Sequence, residues 1–176
     1  MEIQAALHRL HLYSPDPLKL ARFYSSTYEM STSSTTDGYL CSGSGRELEV
    51  SLGPVNQLRY AHFALNTDGA WDAFAVRVAG LKQQALPTAF SDPVHAVALQ
   101  DPDGNLMVFT PPVMGGQGQE STVVPPASLQ HFALRTSNLP AMKDFYVNHL
   151  GFVLSDAVKD LEGELRACFL RTNILH

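Results

Sequence analysis

Apolar and polar residues alternate over residues 5–13, the period of a strand with one face buried. Asp16 and Pro17 follow as an N-cap and a first-turn proline, which predicts a helix whose Leu18, Ala21 and Tyr24 face the core. The Ser/Thr/Gly stretch at 31–38 ends that helix, and strand pieces are expected at 39–41 and 47–52. The same order then begins again. Residues 59–67 read as a strand, Asp68 as the cap of a helix carrying Trp71, Phe74 and Val78 on one stripe, and Gly80 as its end. Strands at 94–100 and 106–110 flank Asp101-Pro102-Asp103-Gly104-Asn105, whose Asp-Gly pair signals a hairpin. A third start lies at 129–136, a strand pattern followed by Asn138 as cap, Pro140 in the first turn and a helix with Met142, Phe145 and Tyr146.

The repetition shows in the letters as well. His62-Phe63-Ala64-Leu65 recurs as His131-Phe132-Ala133-Leu134, and Phe23-Tyr24 as Phe145-Tyr146, at offsets of 69 and 122 residues. These offsets imply a repeat of about 60 residues. Between the second and third starts, residues 114–127 read MGGQGQESTVVPPA, where glycine and proline deny the backbone both helix and ladder. The expected organisation is therefore an N-terminal domain over 1–113 built from two βαβββ units, a linker over 114–127, and a third unit over 128–176. Such units pair, because a small curved sheet with one helix cannot bury its own face, so the third unit is expected to lack its mate. Strand alternation and helix stripes assign Leu10, Leu12, Phe63, Leu65, Trp71 and Phe74 to the core, together with Val97 and Leu99. Phe132, Leu134 and Phe145 are assigned to the core of the third unit.

Of 176 residues, 45% are hydrophobic and 16% charged, which supplies enough apolar mass for one large or two small cores. Twelve basic residues against 17 acidic ones give a net charge of −5 without a basic run, which argues against a nucleic-acid partner. The sequence has neither an apolar stretch near the roughly 20 residues of a membrane span nor a secretion-signal pattern, so we expect no membrane partner and a cytoplasmic protein. Cys41 and Cys168 lie far apart, as unreactive strand residues in a reducing compartment would.

Four features resemble one family: a tandem βαβββ unit with histidine in its first strand, Phe-Tyr on its helix, Leu150-Gly151-Phe152 after the helix, and Asp101 to Asn105 before a last strand. That family is the vicinal oxygen chelate superfamily of glyoxalase I, bleomycin resistance proteins and extradiol ring-cleavage dioxygenases. The resemblance implies an α+β fold of cupped mixed sheets around a divalent metal held by first-strand histidines and a last-strand glutamate. The run from Ser128 to Arg135, followed by Phe145-Tyr146, Ser155-Asp156 and Phe169 to His176, looks most like a type I extradiol dioxygenase. In those enzymes the N-terminal pair has lost its metal and the C-terminal pair keeps it. The chain is then expected to be roughly the first three-fifths of such an enzyme, given the repeat of about 60 residues.

Carried over by position, the resemblance makes His131 a ligand to Fe(II), or to Mn(II) in some members, and places His176 in the segment of the acid-base histidine. The implied reaction is extradiol cleavage of a small aromatic diol by O2, by an enzyme expected to be a homo-oligomer. In the first pair Arg9 stands opposite His131, and Val108 stands where metal-binding members have glutamate. His62 is left without partner ligands there, and His8 and His11 fall out of register. Two other classes stay open at this stage. One is a metal-free small-molecule binder of the bleomycin-resistance kind, with Tyr39, Phe63, Trp71 and Phe90 around a cavity. The other is a glyoxalase-like lyase or isomerase, which Val108 opposes. His95 and His149 match no ligand position and read as surface or interface residues, and Asp101 and Asp103 as turn formers.

Overall fold

The structure is a computed structural model that describes residues 2–43, 45–90, 95–113 and 129–172. The linker expected at 114–127 and His176 lie outside the described residues. Packing divides the chain into two compact units. One comprises Leu7–Phe63 with Val113–His131, and the other Met1–Ala6, Ala64–Pro112 and Phe132–His176.

In the first of these, β1 (Ala5–Ser14) leads into α1 (Pro17–Tyr28), and the Asp16 side chain caps the helix by accepting from the Lys19 backbone N–H at 3.0 Å. The helix ends where Glu29 takes a left-handed conformation, φ 50°. Ala21 is the buried residue of α1, and Leu18, expected in the core, is exposed, because the stripe toward the sheet is narrow. Three strands follow: β2 (Ser31–Ser34), β3 (Gly38–Gly43) and β4 (Arg46–Leu52), joined antiparallel. β2 is missing from the hydrophobic pattern because all four of its residues are polar and exposed. β4 returns parallel to β1, pairing Arg9 with Glu47, His11 with Glu49 and Tyr13 with Ser51, a connection that α1 and the hairpin make long enough. A Cβ at Gly38 would collide with the Val50 carbonyl oxygen, so the β3–β4 approach requires glycine there. The strand order is β2-β3-β4-β1, with β5 (Leu58–Leu65) beside β1.

The other unit repeats the plan. α2 (Asp68–Val78) buries Phe74 and Val78. Its cap is Thr67 rather than the expected Asp68, since the Thr67 hydroxyl accepts from the Ala70 N–H while Asp68 supplies first-turn negative charge. The end of β5 adjoins β7 (Leu106–Thr110), and β7 adjoins β6 (Val97–Gln100). Beyond β6 the place of a further strand is held by one bridge, Gln83 to Leu99, because Pro87 cuts short the segment that would supply it. The neighbours of β5 thus run in the order that β4, β3 and β2 keep beside β1.

The third start folds only in part. No ladder forms over 129–136, where a strand was expected: alternation writes a buried face but a strand also needs a ladder, and the backbone bond from the Leu129 N–H to the Gly45 carbonyl is not extended into one. Phe132 and Leu134 are consequently half-buried rather than core, as are Leu12, Trp71 and Phe145; the remaining core assignments hold. α3 (Leu139–Asp144), capped by Asn138, runs into a π-helical turn over Phe145–His149. β8 (Val153–Lys159) and β9 (Leu165–Arg171) form an antiparallel hairpin. No helix among the described residues is long and apolar enough to cross a membrane.

The structure also fixes the register of the first and third repeats. At an offset of 122 residues, the capping Asp16 matches Asn138, left-handed Glu29 matches Gly151 at φ 87°, and buried Met30 matches Phe152. The Phe-Tyr pairs make the same T-shaped contact, at 5.5 Å in the first repeat and 5.4 Å in the third.

Candidate functional site

The densest set of ionisable side chains lies within the unit of residues 7–63, on one face of β1, β4 and β5. Alternation alone puts Arg9, His11, Glu47 and Glu49 on that face, because β1 and β4 pair in parallel register. His8 joins them. Its Nε2 lies 3.6 Å from Glu47 Oε2, while Arg9 Nε donates to the same oxygen at 2.7 Å. His8 and Arg9, consecutive along β1 and both half-buried, thus reach one carboxylate. His8 and His11, both expected out of register with the ligand position, enter this ion-pair cluster.

Glu49 is its centre. Tyr60 donates its hydroxyl to Glu49 Oε2 at 2.6 Å, and Arg9 Nη1 stands 3.7 Å away. His11 Nδ1 is 3.1 Å from the same oxygen but off the hydrogen-bond line, an electrostatic contact. Burial pushes the Glu49 carboxyl up, but the close His11 imidazole, the Tyr60 hydrogen bond and the Arg9 charge outweigh it and hold the group at about 2. Burial and the Glu49 carboxylate raise the Tyr60 hydroxyl above its usual range. His62, 4% exposed, packs edge-on against His8 with ring centroids 5.2 Å apart. Burial first, then His8 and Arg9, lowers its imidazole to about 3.

Chemically this arrangement is closed. Ser51 Oγ, His11 Nε2 and Glu49 follow in hydroxyl, imidazole, carboxylate order, with 2.8 Å between the first two. Yet Ser51 and His11 are each 2% exposed, so a substrate carbonyl has no approach to the hydroxyl. A metal is excluded from the cluster by charge: the Arg9 guanidinium already occupies Glu47, and a cation beside it would meet repulsion. Among the described residues no three His, Cys, Asp or Glu side chains come together as a metal site. The donors of this cluster therefore do not fit Fe(II) or Mn(II).

His131 lies elsewhere, exposed within the ladder-free 129–136. His95 and His149 are exposed, the latter 3.5 Å from Asp144. Asp101 is buried and does more than shape its turn. It accepts from the backbone N–H groups of Asp103 and Asn105, from the Asn105 amide, and from the Tyr146 hydroxyl at 3.0 Å. Burial, then the Asp101 charge, raises the Tyr146 hydroxyl beyond the ordinary phenol range. A cavity of about 280 Å³ lies in the unit that contains α2, with Ile3, Leu65, Phe74 and Leu150 along its apolar side and Arg77 and Glu2 among its polar groups. None of the four aromatic residues expected around a ligand cavity lines it.

Residues 128–173 match the model of the Glyoxalase/Bleomycin resistance protein/Dioxygenase superfamily. No curated protein matches the sequence. Among solved structures, the Mn(II)-bound glyoxalase from Novosphingobium aromaticivorans is similar at 20% identity and a TM-score of 0.71, over 97% of this chain and 59% of that one. The homoprotocatechuate 2,3-dioxygenase from Brevibacterium fuscum, in complex with 3,4-dihydroxyphenylacetate, is 18% identical with a TM-score of 0.70, over 96% and 57%. A catechol 2,3-dioxygenase is 17% identical with a TM-score of 0.68, over 97% and 66%. The chain spans about three-fifths of the length of these structures. It therefore has the mixed α+β fold of the vicinal oxygen chelate proteins, and its residues 128–173 carry the sequence pattern of the Glyoxalase/Bleomycin resistance protein/Dioxygenase superfamily.

Proposed function

We propose that this chain is part of an extradiol-type dioxygenase, in which residues 1–113 form a metal-free scaffold and the repeat from 128 onward contributes to an Fe(II) site, Mn(II) serving in its place in some members. One contrast carries the reading. The motif His-Phe-Ala-Leu occurs twice, and the first copy holds His62 buried against His8 in a cluster led by Arg9. The second copy holds His131 exposed, in the stretch that matches the family model. His131 supplies one imidazole donor, and further donors come from residues beyond those described. His176 serves as the acid-base group toward a small aromatic diol, a task imidazole suits near neutral pH. Bound Fe(II) supplies open coordination positions for the diol and O2.

The test is iron stoichiometry in the intact protein. His131→Ala is expected to abolish iron retention, while His62→Ala leaves it nearly unchanged. Iron lost from the His62 variant and kept by the His131 variant would reverse the assignment of the two halves.

A further inference from the structure

The cavity of about 280 Å³ beside α2 is bounded by residues that have no part in the proposed iron site, and its walls differ in character. Its floor is apolar, with Ile3, Leu65, Phe74 and Leu150 each exposed by 4% or less. Along α2 the wall is one stripe at four-residue spacing, Gly69, Ala73 and Arg77, in which two small residues precede a long cation. A Cβ at Gly69 would meet nothing within 4 Å, so the helix leaves room there instead of filling it. The segment that completes the wall is tied in place, since the Ile3 N–H donates to the Gly151 carbonyl at 2.8 Å and the Asn66 N–H to the Gln4 carbonyl at 2.9 Å. Protein interiors are close-packed, so a recess of this volume between fixed walls is space a ligand can use.

We infer that this cavity binds a small apolar monocarboxylate, its ring or branched alkyl body on the Ile3-Leu65-Phe74-Leu150 floor and its carboxylate on the Arg77 guanidinium. The inference stands apart from the proposed function. Arg77 is the one cation lining the cavity, and its Nη1 donates to the Asn148 carbonyl at 3.2 Å, which steadies the planar fork that matches a carboxylate. Burial of the apolar body against the floor supplies the attraction, and the guanidinium sets the orientation. Volume sets the size. It falls just below the roughly 300–1,000 Å³ of ordinary small-molecule sites, room for one ring and too little for a nucleotide. Glu2 lines the same cavity, and its charge opposes a second anionic group, which selects a monoanion over a dicarboxylate.

Benzoate is the probe, titrated into the 15N-labelled 176-residue chain and followed by amide NMR. Saturable shifts at the Gly69, Ala70 and Ala73 amides are expected, with a Kd of about 1 mM or tighter. Benzamide, which keeps the shape without the charge, and phthalate, which adds a second carboxylate, should each bind about tenfold more weakly or worse. Arg77→Gln should weaken benzoate by a similar factor. Gly69→Leu puts a side chain into the open space, is favoured in a helix, and should abolish binding. The inference is overturned if benzoate leaves those amides unshifted, or if benzamide or phthalate binds as tightly as benzoate. Benzoate binding unaltered in either variant overturns it as well.

Discussion

Placing an imidazole where it cannot take a proton makes the fold sensitive to acid, and His62 is the residue through which this sensitivity acts. Its ordinary value of 6.5 is lowered to about 3 by burial, His8 and Arg9. Between those two values the unfolded chain holds a proton on His62 that the folded chain refuses. More protons are then bound unfolded, and stability rises with pH through the window and is lost as pH falls from 6.5 toward 3. At pH 5 the loss is about 2 kcal/mol, and it approaches about 5 kcal/mol below pH 3, at roughly 1.4 kcal/mol per unit. Glu49 acts lower, between its ordinary 4.5 and about 2, so between pH 5 and 7.5 it stays mostly ionised in both states and contributes equally to wild type and variant. Urea unfolding of the wild type and of His62→Gln at pH 7.5 and pH 5 isolates the effect. The wild type should lose about 2 kcal/mol more than the variant over that interval, at unchanged urea slope. Equal losses would refute the reasoning, and a proton NMR titration of His62 near 6.5 in the folded wild type would refute it independently of any variant.

Further outcomes follow from the same contacts. Tyr60→Phe removes the 2.6 Å bond to Glu49 and should cost about 1–3 kcal/mol in urea unfolding, with acid unfolding beginning at higher pH as the Glu49 carboxyl rises. Asp101→Ala strands the Tyr146 hydroxyl and two backbone N–H groups. It should destabilise two to three times as much as Tyr146→Phe, which gives up a single bond worth about 1 kcal/mol.

Where a local rule governs, the sequence is a good guide to this fold. Asp16 and Asn138 announce their helices, Asp103-Gly104 its hairpin, and the alternation in residues 5–13 its strand. β2 escapes because Ser31 to Ser34 carry no apolar signal, and its existence depends on pairing with β3. The ladder-free 129–136 fails in the opposite sense, since its alternation is clear and yet no ladder forms on it. In the cluster, Arg9 and His62 are assigned from position alone. That His8 also comes within reach of Glu47 is not announced by parity, since neighbouring strand residues ordinarily face opposite sides. Tyr60 two residues before His62 shares its face by parity, a signal available to anyone counting along β5. The bond from Tyr146 to Asp101 spans 45 residues and has no local trace.

The polar strand β2 has a consequence for how the molecule meets its own kind in a crowded solution. It forms the outer edge of the strands beside β1, with four exposed residues and a Ser31 hydroxyl turned back onto the Ser42 carbonyl. An edge this short, and with only hydroxyl-bearing side chains, offers an incoming strand neither length nor apolar contact. Replacing Ser31 and Ser33 by valine would leave the internal pairing with β3 intact and make the rim sticky. Intermolecular β-pairing, read as concentration-dependent light scattering and thioflavin fluorescence, is the expected cost.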